Sequence, residues 1–379
     1  SESFKNQNMY YLTRFLAPDP FILLKRTDNP PTIVVNSMEF PRAQKESIVK
    51  DVRSYVDYNY LEIIKAAEDP RLGVMKFLAS VAKKELGKGT TISTPQDFPS
   101  MATDVLRKED LTIKPMFNII EKARETKEPE EIKEIKSPQE VVEKVTKEVI
   151  TLLADCDVGS GNTLVHKKDG KERPLTVGEV KAFMAHGFID NWCAIEELIV
   201  ACGPPSADPH YAGNPEDELK ANQPIILDIF PRSIRKRYCT DMTRTVVKGK
   251  ASDRVKRMFD AVLEAKNICT DALHEGVLGS DMFSLCCDVL EKAGYDTIRG
   301  GRQIQKGLTH SLGHGVGLEV HESPSMSEVY KFPLKGHSVV TVEPGLYDPK
   351  IGGVRLEDIV EVRKKGCNNL TKMYVQLEI

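Results

Sequence analysis

Five segments in the C-terminal two-thirds of the chain hold isolated acids or histidines inside strand-like apolar runs. Burying a lone carboxylate among aliphatic side chains is costly unless it is paired or bound to a cation, so these positions are candidates for chemistry. Asp228 lies in Pro224-Ile-Ile-Leu-Asp-Ile-Phe230, a setting in which Asp is normally depleted. Asp241 enters the β-branched run Thr243-Arg-Thr-Val-Val247, and the polar connection 231–237 would let a hairpin bring the two acids together. Taken alone, the pair reads better as two aspartates flanking a turn. His310, His314 and His321 surround Gly313, Gly315 and Gly317. The glycines argue against a helix, whereas strand positions four apart share one face and glycines there permit a bulge or close backbone approach. His321 has the opposite parity to His314 and joins that face only if the chain bends between them. Glu343 ends the alternating run 339–343 ahead of Pro344-Gly345, which reads as a turn placing the carboxylate at a sheet's rim. In 353–360, alternation puts Arg355 and Glu357 on one face and Val354, Leu356 and Asp358 on the other. Asp358 is then turned away from Glu357, and Arg355 is open to a role as the salt-bridge partner of Glu357.

Four carboxylates and one imidazole make a hard, oxygen-rich ligand set. It suits Mn²⁺, Co²⁺ or Fe²⁺ better than a structural zinc, which draws on thiolates. Two divalent ions would balance the four negative charges, and a pair about 3.5–4 Å apart can hold a bridging hydroxide as nucleophile at neutral pH. His321-Glu322 does not open a helical zinc motif, because Ser325 stands where the second histidine belongs.

The elements that must position these residues follow from periodicity and composition. The chain has 379 residues, which suggests about two domains. In the first ~125 residues, 22–24 and 32–35 read as short strands, 73–86 as a helix, and 94–106 as a second helix with Thr94 as N-cap and Pro95 at its first position. Strands alternating with helices indicate an α/β layer domain, and no candidate chemistry falls within it. The charge-rich stretch 121–136 reads as a solvated helix face or connector and marks the domain boundary. Beyond it, Ser137-Pro138 reads as the start of an amphipathic helix to residue 154, and 176–186 and 252–274 read as further helices.

Lysines and arginines number 53 against 56 acids, a net charge of −3, so the basic excess of a nucleic-acid footprint is missing. No stretch approaches the ~18 apolar residues of a membrane span. The opening residues lack the apolar core of a signal peptide, and eight cysteines without a CxxC do not form a disulfide framework. The expectation is a reduced, cytoplasmic protein that binds neither nucleic acid nor membrane.

In their order and surroundings these residues resemble the pita-bread metallopeptidases: aminopeptidase P, prolidase, methionine aminopeptidase and relatives. The family's ligand order of Asp, Asp, His, Glu, Glu is matched by Asp228, Asp241, His314, Glu343 and Glu357. The match extends to Thr240-Asp-Met-Thr-Arg-Thr245, Gly313-His-Gly-Val-Gly-Leu-Glu-Val-His321, Thr341-Val-Glu-Pro-Gly345 and Gly353-Val-Arg-Leu-Glu-Asp358. The resemblance covers nearly the whole chain and implies an α/β (α+β) protein. Residues 1–125 would form a non-catalytic, creatinase-like α/β domain, and 126–379 a pita-bread catalytic domain. Methionine aminopeptidases generally lack the first domain, which favours the proline-directed branch, and creatinase does not keep the full ligand set.

By that resemblance Asp228 would chelate one metal, His314 would bind the other, and Asp241 and Glu357 would bridge them. Glu343 would be a ligand and the proton shuttle. His310 and His321 would contact the substrate around the scissile bond, with His321 stabilising the oxyanion. His210 matches a histidine lining the substrate site, its alternative being a plain loop histidine, and Arg355 matches an arginine near the substrate. Two departures affect the hairpin: Asp228 and Asp241 are separated by an apparent insertion of two residues, and no glycine follows Asp228 by two positions. Cys239, beside Asp241, reads as a small buried residue.

The implied activity is hydrolysis of the Xaa-Pro bond of dipeptides or peptide N-termini by a hydroxide bridging two metal ions. Mn²⁺ or Co²⁺ are the expected ions, with Zn²⁺ or Fe²⁺ possible, and the family implies a homodimer. The alternatives are an aminopeptidase of the same fold without proline preference and a non-catalytic peptide- or protein-binding member.

Overall fold

The computed structural model describes residues 1–168 and 170–379, which fall into two compact units, Ser1–Arg124 and Glu125–Ile379. In the first unit, Ile22–Leu24 pairs antiparallel with Thr32–Val35, which pairs parallel with Asp51–Ser54. Asp69 caps the helix Pro70–Leu86, and Pro70 occupies a first-turn position where its missing N–H is no loss. Phe77 and Val81 pack with Val34 on one side of this helix, and Ala79 and Ala82 with Leu106 and Ile113 on another.

The expected helix over 94–106 is corrected here. Thr94 and Pro95 end a strand, Thr91–Pro95, which runs parallel to Thr112–Met116, and the helix between them is Ser100–Lys108. Parallel neighbours need a crossover, and the residues Thr91-Ile-Ser-Thr94 suit an extended chain better than a helical first turn.

The second unit begins with the 27-residue helix Pro129–Asp155, opened by a capping box between Glu128 and Glu131. Ser137-Pro138 therefore does not start it; Pro138 lies inside. The buried face of Ile135, Val142, Val145, Val149 and Leu153 runs unbroken past the proline, and that packing outweighs one missing backbone hydrogen bond. The solvated reading of 121–136 also fails in part, since Arg124, Glu125, Lys127 and Glu131 are all buried. Glu125 pairs with Lys335, Lys127 with Glu322, and Glu131 accepts from the Tyr238 hydroxyl.

Two antiparallel sheets follow. One has the order Ile199–Cys202, Ile225–Ile229, Met242–Val246. The other has the order Glu322–Met326, Gly313–Gly315, Val339–Val342, Asp358–Val362, Cys367–Asn369. Each is covered on one face. Ile225, Leu227, Ile229, Met242 and Val246 join the core formed with helices Pro129–Asp155 and Val177–Asp190. Val340, Val342, Val360 and Val362 join that of Asp253–Ala272 and Gly279–Lys292. The opposite parity leaves Asp228, Thr243 and Thr341 off these helix-packed faces, so alternation alone collects polar groups there. Pro344-Gly345 is not a turn: the chain passes directly into the hairpin of Gly345–Asp348 with Gly352–Arg355. Among the described residues no helix is long and apolar enough to cross a membrane.

The two sheets are joined by a buried arginine. Arg244 donates through Nη1 to the carbonyls of Thr243 (2.9 Å) and Glu357 (2.7 Å). Its Nη2 donates to the Met373 carbonyl (2.8 Å) and to Asp358 Oδ1 (2.9 Å). The second Asp358 oxygen takes Lys266 and Asn369. Arg244 Nε donates to the Tyr374 carbonyl (3.3 Å), so replacing Arg244 by Met leaves five acceptors short of a donor and one buried carboxylate half-compensated. The variant should lose about 3–5 kcal/mol of stability, read from urea unfolding; a loss below about 1 kcal/mol would place it with ordinary surface changes.

Candidate metal centre

Strand ends carry the five acids and histidines to one place. Asp228 sits opposite Thr243 in the ladder, and Ile229 opposite Met242, so Asp241 comes just before its strand at the same end of the hairpin. His314 is the middle residue of Gly313–Gly315, with a bulge between His314 and Gly315 as the glycines suggested. Its backbone N–H is donated to Thr341 Oγ1 (3.0 Å), and that hydroxyl donates to Glu343 Oε1 (3.1 Å). Glu357 falls in the break between Gly352–Arg355 and Asp358–Val362. Its N–H reaches the Thr243 carbonyl (3.1 Å), and Thr243 Oγ1 donates to Glu357 Oε2 (2.7 Å).

His314 Nε2 lies 3.2 Å from Glu343 Oε1 and 3.7 Å from Asp241 Oδ2. Asp241, His314 and Glu357 offer ligand atoms that all lie within 4.8 Å of one another. Asp241 Oδ1 and Glu357 Oε1 are buried without a hydrogen-bond partner. Burial, then mutual repulsion among Asp241, Glu357, Asp228 and Glu343, holds the carboxyls of Asp241 and Glu357 well above their ordinary range. Two orphaned oxygens, a facing imidazole nitrogen and surplus negative charge fit a divalent cation. Burial opposes charge on both His314 and Glu343, but their hydrogen bond and attraction prevail. His314 is raised to about 9 and Glu343 brought down to about 2.

Asp228 stands apart from this trio because Arg355 Nη2 lies 2.5 Å from its Oδ2. Arg355 is thus the partner of Asp228 rather than of Glu357. Its Nη1 donates to the Tyr347 hydroxyl (2.6 Å), which lies 2.8 Å from His310 Nε2. His310 Nδ1 lies 2.7 Å from the Ser311 carbonyl, so both ring nitrogens are engaged, and burial lowers its pKa. A Cβ at Gly345 would sit 2.5 Å from the Tyr347 hydroxyl and 2.9 Å from His310 Nε2, so this close approach requires glycine.

The bend needed to bring His321 into the site is present: its ring meets that of His314 edge-on at 4.2 Å. His210 is exposed in the loop after Pro204–Ala207. Asp358 points away to Arg244 and Lys266, as strand parity anticipated. Cys239 is buried, and burial pushes its thiol up to about 12. In the lengthened connection, Arg232–Ser233 pairs with Cys193–Ala194, and the Arg235 guanidinium lies over the Trp192 ring at 4.2 Å. Tyr347, Thr243 and Thr341 were not legible as site residues. A hydroxyl two positions from a glycine, or alternating within a strand, carries no local signal of what it meets.

Because Asp241, Glu357 and His314 hold protons above their ordinary pKa values, a cation must displace them. Protons are released on binding, and metal affinity rises with pH through the neutral range. Calorimetry with Mn²⁺ in buffers of different ionisation enthalpy measures this; pH-independent affinity without proton release would refute it. Asp241→Asn should lose metal occupancy by elemental analysis, whereas Asp358→Asn should keep it and lose stability.

Comparison with known proteins agrees with this geometry. Residues 136–364 match the model of "Metallopeptidase family M24". The chain is 30% identical over 382 residues to an Xaa-Pro dipeptidase of Pyrococcus horikoshii, covering 97% of this chain and 91% of that one. Among solved structures, an Xaa-Pro dipeptidase from Bacillus anthracis superposes with a TM-score of 0.80 at 24% identity, covering 99% of this chain and 93% of the other. An X-Pro aminopeptidase from Thermotoga maritima gives 0.78 at 24% identity over 100% and 95%. Those two likenesses bear on the fold, which is the pita-bread arrangement. With well over half its length matched and its acids and histidine gathered at the strand ends, the chain belongs to metallopeptidase family M24.

Proposed function

We propose that the chain hydrolyses the Xaa-Pro bond of dipeptides or of peptide N-termini. The observation that carries the reading is the buried Asp241–Glu357 pair, each with an unpartnered oxygen and both within reach of a shared cation with His314. The proline preference is supported by what the similar proteins from Pyrococcus horikoshii and Thermotoga maritima are named for. Asp228, Asp241, His314, Glu343 and Glu357 would hold two divalent ions, with Mn²⁺ or Co²⁺ best suited to so many carboxylates. When bound, such ions supply Lewis acidity toward a carbonyl and a nucleophilic water at neutral pH.

The chain's own residues do the rest. Glu343 Oε1, held between Thr341 and His314, is placed to take a proton from the attacking water and pass it to the departing proline nitrogen. His321, whose pKa is lowered by burial and by neighbouring His314, stays neutral and offers an N–H to the oxyanion. His210 and His310 border the substrate side. Arg355 orients Asp228 through a charge-assisted contact. An Xaa-Pro bond is a tertiary amide with no N–H, so recognition must rest on the carbonyl and the termini, where these histidines lie.

The test is kcat/KM for Met-Pro against Met-Ala, each alone and extended at the C-terminus. Met-Pro should be preferred, and the extended series separates dipeptidase from aminopeptidase. Preference for the alanine series would make this a general aminopeptidase; cleavage of neither by metal-loaded protein would indicate a binding protein. Chelation should abolish turnover, and Mn²⁺ or Co²⁺ should restore it. Full turnover by a sample verified free of metal would overturn the reading.

A further inference from the structure

We propose that Lys127 and Glu322 form a buried brace that positions His321 for the reaction. The proposal rests on reading His321 as the group that stabilises the oxyanion. Lys127 Nζ lies 2.8 Å from Glu322 Oε1, with side chains only 2% and 6% exposed. Removing two charges from water is expensive, and a buried pair adds geometry more dependably than stability. The geometry fixed here is that of the residues carrying His321, which directly precedes Glu322.

Three contacts tie that segment to the pair. Glu322 Oε2 accepts the Glu319 N–H at 3.3 Å, and Gly317 N–H is donated to the Glu319 carbonyl at 3.1 Å. A Cβ at Gly317 would stand 2.3 Å from Glu322 Oε1, so the loop backbone is drawn tightly over the carboxylate. From the other side, Cys239 N–H reaches the Gly317 carbonyl at 2.7 Å, two residues from Asp241. Lys127 is anchored in turn by its own N–H to the His337 carbonyl (3.0 Å) and by Nζ to the Glu125 carbonyl (3.4 Å).

The His321 ring itself has no hydrogen bond among the described residues; it rests edge-on against His314 and is otherwise open to the site. Its aim is therefore set by the loop backbone, and the loop is set by a carboxylate whose counter-charge comes from 195 residues away. Lys127 and Glu322 are positioning residues: they touch neither substrate nor metal, and act through where they put an imidazole.

The test is a double-mutant cycle on metal-loaded enzyme with Met-Pro as substrate. His321→Ala is made first; unchanged kcat in that variant would remove the role of His321 on which the brace depends, independently of the brace. In the native background, Lys127→Met should lower kcat on the order of ten- to a hundredfold, with KM and metal content little changed. Lys127→Arg, which keeps the charge, should recover most of the loss. In the His321→Ala background, Lys127→Met should produce no further loss, because two residues acting through one group are not additive. Equal losses in both backgrounds would show general structural damage and overturn the proposal, as would unchanged kcat in the native background or loss of bound metal. If Lys127→Met does not fold, Glu322→Gln, nearly isosteric and still able to accept from Glu319, is taken through the same cycle, and the same outcomes support or overturn the brace.

Discussion

Two carboxylates that repel each other in a buried place, Asp241 and Glu357, are the constraint around which the second unit is organised. Each has one oxygen without a partner, and each is held above its normal pKa by burial and by its neighbours. Such a pair persists only because the surrounding backbone over-determines it. Glu357 donates its N–H to the Thr243 carbonyl and accepts from the Thr243 hydroxyl, and its carbonyl accepts from Arg244. Arg244 has its charge balanced by Asp358, and Asp358 by Lys266 as well. The candidate metal centre is therefore supported from behind by a chain of opposite charges alternating through the fold.

Strand alternation separates two kinds of chemistry across each sheet. One parity supplies Val, Ile and Leu to helix-covered cores, where burying an aliphatic side chain is worth roughly 1.5–3 kcal/mol. The other supplies Asp228, Thr243 and Thr341, where every hydroxyl is committed to aligning an acid or a histidine. Of the candidate ligands, Asp228 and His314 lie within strands, whereas Asp241, Glu343 and Glu357 sit at strand ends or breaks. There a carboxylate can leave the ladder's plane without sacrificing a backbone hydrogen bond. Stability and function thus share elements without competing for the same side chains.

Around this centre the histidines proposed for the substrate side are held differently. His310 is fixed at both nitrogens, by the Ser311 carbonyl and by Tyr347, whose hydroxyl is itself oriented by Arg355. His321 is held only through its backbone and an edge contact. His210 lies out in a loop. Side-chain anchoring thus falls from His310, held at both nitrogens, to His321 and His210.

What the sequence determined by itself was local and periodic. An Asp among aliphatic residues, glycines alternating with histidines, and Arg355 and Glu357 two apart each state a face or a bulge, because strand geometry repeats every two residues. Asp358 does turn away from Glu357, but the strand breaks at 356–357, so alternation anticipated the orientation without being its whole cause. The start of the helix at Ser252 was written in capping chemistry, and apolar spacing places that at Asp69–Pro70 three residues late, whereas Thr94-Pro95 and Ser137-Pro138 carried the same signs without starting anything. There a parallel strand partner and an uninterrupted apolar face outweighed local preference. Tertiary structure decided the pairings: Arg355 with Asp228, Tyr347 with His310, Lys127 with Glu322. No periodicity encodes them, since each joins residues 37 to 195 positions apart whose meeting depends on how whole sheets and helices are packed. A charged residue in a polar stretch reads as solvated until the fold supplies its partner, and Lys127 is buried because Glu322 comes to it.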